Sequence, residues 1–69
     1  MLELASKGEW QRDLATVERA KATQRYEQAK HAATMELKRA HVFAAELHIE
    51  AADLCERLAD VYDRLDKLN

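Results

Sequence analysis

The chain has no proline, and its only glycine, serine, asparagine and cysteine are Gly8, Ser6, Asn69 and Cys55. Sixty consecutive residues, Glu9 to Leu68, contain no Pro, Gly, Ser or Asn. Tight turns draw on those residue types, so a sandwich, a barrel or a Rossmann unit is excluded. No apolar run is long enough to cross a bilayer, and the start of the chain, with Glu3 and no sustained apolar stretch, does not read as a signal peptide. A lone cysteine cannot close an internal disulfide. Cys55 therefore reads as a small apolar residue beside a helix seam, and the cytoplasm is the expected compartment.

Also missing are the constellations that carry chemistry. There is no glycine-rich phosphate loop and no serine placed beside a base, so no enzymatic activity is expected. His41 and His48 lie seven residues apart, about 10 Å along a helix, too far to share one ion within a chain. The residues three before His31, His41 and His48 are Gln28, Lys38 and Ala45, so the Glu-x-x-His pattern of di-iron bundles is absent. No metal or other cofactor is expected.

What is present is helix-forming. Of 69 residues 48% are apolar, and the net charge is only −2, which argues against disorder. Ser6-Lys7-Gly8-Glu9 matches a capping box, with Ala5 and Trp10 as a weak hydrophobic staple. Residues 1–5, with Leu2 and Leu4, read as a loose arm, and 6–69 as a single helical domain that meets no stop signal before Asn69. An unbroken helix from the cap onward would run about 90 Å. It is favoured over a hairpin or three-helix bundle, for which the candidate breaks are Lys30–Thr34, where Thr34 caps a new helix, and His48–Asp53.

Leu37, Ala40, Ala44, Leu47, Ala51, Leu54, Leu58, Val61, Leu65 and Leu68 follow each other at alternating spacings of three and four. That is a heptad seam, alanine-rich in its first half and leucine-rich in its second. The expected assembly face is Leu37, Leu47, Leu54, Leu58, Val61, Leu65 and Leu68. Trp10, Leu14 and Val17 form a separate packing trio out of phase with it, joined to it by a thinly apolar stretch, Ala20 to Lys30. Val42, Phe43 and Ile49 lie off the seam and constitute a second apolar surface, which a two-stranded coiled coil would leave in water.

Charge reverses along the chain. Residues 12–41 hold seven Lys or Arg against four acids, net +3, while residues 46–66 hold seven acids against Arg57 and Arg64, net −5. An antiparallel partner would align opposite signs. Pairs such as Asp53/Arg57 and Asp60/Arg64 have the spacing for contacts within one helix. A nine-residue echo, Glu9/Arg12, Glu18/Lys21, Glu27/Lys30 and Glu36/Arg39, spreads further pairs around it.

These features point to an all-α protein, mostly one long helix, that self-associates as an antiparallel coiled coil or helical bundle. The function expected of it is structural, an oligomerisation, scaffold or adaptor module. A runner-up is a small nucleic-acid-binding helical dimer that uses Arg12, Arg19, Lys21, Arg25 and Lys30, with Lys38, Arg39 and Tyr26 nearby. A third reading is a regulatory helix docking on a larger protein. Anionic lipid is not an expected partner, because the best apolar segment carries an acidic face. The segment Ala52-Asp53-Leu54-Cys55-Glu56-Arg57-Leu58-Ala59-Asp60 is similar to the second helix of the Rop family of small RNA-binding four-helix bundles. The likeness spans nine residues, the acidic interhelix turn of that family is missing, and no functional residue carries over.

Overall fold

The computed structural model describes residues 6–68. It is an antiparallel helical hairpin, with α1 spanning Lys7–Lys30 and α2 spanning Met35–Leu68. The molecule is a slab two helices wide and one helix thick, 53 × 25 × 10 Å. At 1.5 Å per residue α2 alone accounts for about 51 Å of that length. The expected all-α class and antiparallel packing are both present, and the antiparallel partner is the other half of the same chain.

The expected unbroken helix is corrected, because the chain folds back at the first of the two candidate breaks. α2 runs without interruption through the second, His48–Asp53. The amides of His31 and Ala32 bond back to the carbonyls of Gln28 and Ala29, closing the last turn of α1. Thr34 Oγ1 accepts from the amide of Leu37 at 3.1 Å and starts α2. No described residue has positive φ, so a connection of ordinary residues is sufficient. At the other end Ser6 is extended and its side chain accepts from the amide of Glu9, the serine half of the expected capping box. The expected loose arm at residues 1–5, the Ala5 half of the staple and the stop at Asn69 lie outside the described residues.

What holds the two helices together is a pair of small-residue stripes. Gly8, Ala15, Ala22 and Ala29 recur every seventh residue on α1, and Ala45, Ala52 and Ala59 do so on α2. Those six alanines form the entire buried hydrophobic core of the described residues. Seven residues are close to two helical turns, so each stripe stays on one face, and methyl-sized groups let the backbones approach closely. At Gly8 the approach leaves no room for a side chain. A Cβ there would collide with the Asp63 carboxylate and come within 3.3 Å of the Ala59 carbonyl oxygen. The stretch Ala20 to Lys30, read as weakly packed for want of large side chains, is docked on α2 through Ala22 and Ala29.

Charged and polar side chains then bridge the two helices along one flank and across the contact. Arg12 pairs with Asp63 and, at 3.5 Å, with Asp60, while Arg19 reaches Glu56 at 2.5 Å and Asp53 at 3.7 Å. His48 Nδ1 donates to Glu18 Oε2 at 2.5 Å. Arg25 donates to Nδ1 of His41 at 3.3 Å, and the Lys7 ammonium sits 5.5 Å from the centre of the Tyr62 ring. Asp53 and Asp60 thus pair across the hairpin rather than with Arg57 and Arg64 on their own helix. Two pairs of the nine-residue echo form as spaced, Glu18–Lys21 at 3.3 Å and Glu27–Lys30 at 3.0 Å.

Candidate assembly surface

Folding back leaves every large aliphatic side chain of the seam uncovered. The accessible fraction is 46% at Leu37, 48% at Leu47, 60% at Leu54, 40% at Leu58, 46% at Val61, 48% at Leu65 and 82% at Leu68. The reason is rotational. The residues of α2 that face α1 are His41, Ala45, His48, Ala52, Cys55, Ala59 and Tyr62, all buried or half-buried. The seam is this set displaced by one residue, and one residue is about 100° around a helix. The leucines therefore open onto one broad face of the slab, at right angles to the hairpin contact. His41, His48 and Cys55, placed by the sequence at the seam's flank, line the hairpin interior.

The trio on α1 joins that face. Glu18 bonds to His48 and Gly8 abuts Ala59, so Leu14 and Val17 are level with Ala51–Leu54. Leu14 and Val17 are 38% and 49% exposed, and Trp10 is 61%. They lie on the side of α1 away from the arginine pairs, which is the side on which the leucines open. Trp10, Leu14 and Val17 are thus continuous with the leucine face, although in the sequence they are out of phase with its heptads.

The second expected surface is divided. Val42 and Phe43 border a shallow groove on the outer side of α2 with Met35, Lys38, Arg39 and Glu46. Ile49 lies instead beside α1, in a groove with Arg19, Ala22, Thr23 and Tyr26.

The candidate nucleic-acid contacts are dispersed as well. Arg12 and Arg19 are held by the acids of α2, Lys21 by Glu18 and Lys30 by Glu27. Arg25 contacts His41 and Gln28. The hydrogen bond with Asp63 is the largest cause raising the pKa of Arg12. Glu18 is held below the usual carboxylate value, first by its hydrogen bond with His48, against partial desolvation and with help from Lys21. Glu27 is lowered in the same direction by Lys30.

No group of three or more metal-ligating side chains with metal-site geometry occurs among the described residues, and no described helix is long and apolar enough to cross a membrane. Comparison of the chain with protein-family models, curated proteins and solved structures gives no match.

Proposed function

We propose that this chain is a structural module, an oligomerisation unit of the scaffold or adaptor kind in the cytoplasm. Its hairpins associate with one another through the leucine face to give a helical bundle. One observation carries this reading: the buried hydrophobic core of the described residues is six alanines, while all seven large seam residues stay open to solvent. Covering one leucine contributes roughly 1.5–3 kcal/mol, so covering a continuous face of them outweighs what the alanine stripes supply. Contiguous apolar surface of this kind marks an interface.

Nucleic-acid binding receives less support, since two of its candidate arginines already neutralise acids of α2. The deciding measurement is solution mass by light scattering across concentration, for the natural chain and for Leu58→Asp. The natural chain is expected to be a multimer of the hairpin and Leu58→Asp a monomer. A mass that Leu58→Asp leaves unchanged overturns the reading. A gel shift with generic RNA and DNA at low and moderate salt separates it from the nucleic-acid alternative.

A further inference from the structure

We infer that the occupant of the leucine face is a second hairpin laid antiparallel, with α2 crossing α2 of the other copy in a single register. This rests on the self-association proposed above and specifies its geometry.

The first support is volume. In an antiparallel coiled coil the a positions of one helix meet the d positions of the other. One register engages all ten seam residues. Leu37 then meets Leu68 of the second copy, Ala40 meets Leu65, Ala44 meets Val61, Leu47 meets Leu58, and Ala51 meets Leu54. Every alanine of the thin half is set against a large residue of the thick half, so the helix spacing stays nearly even from end to end. Parallel pairing would place Ala40, Ala44 and Ala51 on themselves and Leu54, Leu58 and Leu65 on themselves. Gaps at one end and crowding at the other would follow, and both cost stability.

The second support is charge. On the flank of the seam that faces away from α1, the same register brings Glu50 of one copy to Arg57 of the other, twice per pair of chains by symmetry. Glu50 and Arg57 are exposed, border the same shallow groove, and are not in an ion pair among the described residues. Seven residues apart on one helix, they are about 10 Å from each other and cannot pair within the chain. Parallel pairing would set Glu50 by Cys55 and Arg57 by Tyr62, leaving both charges unmatched.

The third is continuity. Leu14 and Val17 are level with Ala51–Leu54, at the middle of the seam. An axis of symmetry through that middle therefore brings the trio of one copy over the trio of the other, and four helices close around one apolar layer.

The test is a charge exchange read by sedimentation equilibrium. Glu50→Arg alone sets like charges together at two places and should weaken association about five- to thirty-fold, taking roughly 0.5–1 kcal/mol per altered pair. Glu50→Arg with Arg57→Glu should restore it. Failure of the double exchange to restore an association that the single change weakens overturns the register while leaving self-association standing. A natural chain that is monomeric at every concentration overturns both. A second readout uses chains carrying Cys55→Ser with either Leu37→Cys or Leu68→Cys. Mixed and oxidised, they should cross-link unlike with unlike; like-with-like products overturn the antiparallel arrangement.

Discussion

Alanine at a seven-residue interval sets how closely the helices approach in this hairpin. Ala45, Ala52 and Ala59 have no accessible surface, and nothing larger than a methyl group is buried with them. A leucine at Ala52 has nowhere to go without parting the helices, while its helix propensity is close to that of alanine. Ala52→Leu should therefore cost about 1–3 kcal/mol, seen as a lower midpoint in thermal unfolding followed by circular dichroism. Ala20→Leu, on the exposed side of α1, should stay within about 0.5 kcal/mol of the natural chain. Equal effects at the two positions would show that the stripe does not limit helix approach. Glu18 supplies a prediction in pH. Its carboxyl is lowered from the ordinary 4.5 in the folded chain, chiefly by the hydrogen bond from His48. The unfolded chain thus takes up the proton first as pH falls. The stabilisation is present above about 4.5 and is lost as pH drops through the folded value below it. Glu18→Gln should flatten the acid limb of the melting midpoint against pH, leaving the part due to Glu27, which is lowered by Lys30. An unaltered slope would show that the Glu18–His48 contact carries no stability.

Each helix answers to a different part of the sequence, and this decides what was legible in advance. The start of α1 was readable from Ser6 and Glu9 because capping is local chemistry. The start of α2 was half-readable. Thr34 marks a possible cap, but no glycine follows Lys30 to announce the stop, and propensity favours running on. The stop is made by tertiary contacts, since only a chain folded back can bury Ala15, Ala22 and Ala29 against Ala45, Ala52 and Ala59. Their period of seven was open to inspection from the start, as was Gly8 at its head. It is masked because leucine spacing dominates the apolar periodicity and alanine is indistinct between core and surface. The leucine seam was legible as a line of alternating spacings, all of it on one helix. Its relation to α1 was not, because the 100° offset between seam and stripe exists only once the partner helix is placed. Charge showed the same limit. The opposite signs of the two halves were visible, but that Arg12 and Arg19 would meet their acids within the chain required the turn.

For the molecule as a whole, the slab has the proportions of half a bundle. Ordering a residue costs roughly 1–2 kcal/mol of backbone entropy, and six buried alanines lose too little apolar surface to offset that for two helices of this length. Surface-to-volume scaling makes a chain of this size marginal even with leucines inside, and here the leucines are outside. If the missing apolar burial comes from a second copy, folding and association are one equilibrium, and stability must depend on chain concentration. The thermal midpoint followed by circular dichroism should then rise with concentration over a range of about a hundredfold, and helicity at a fixed temperature should fall on dilution. Leu58→Asp should be poorly helical at concentrations where the natural chain is folded, since an uncovered hairpin lacks the burial that sustains it. A midpoint independent of concentration, with full helicity in a chain shown by its mass to be monomeric, would mean that the alanine contact and its crossing ion pairs suffice alone. The leucine face would then be a surface the folded hairpin carries without needing it.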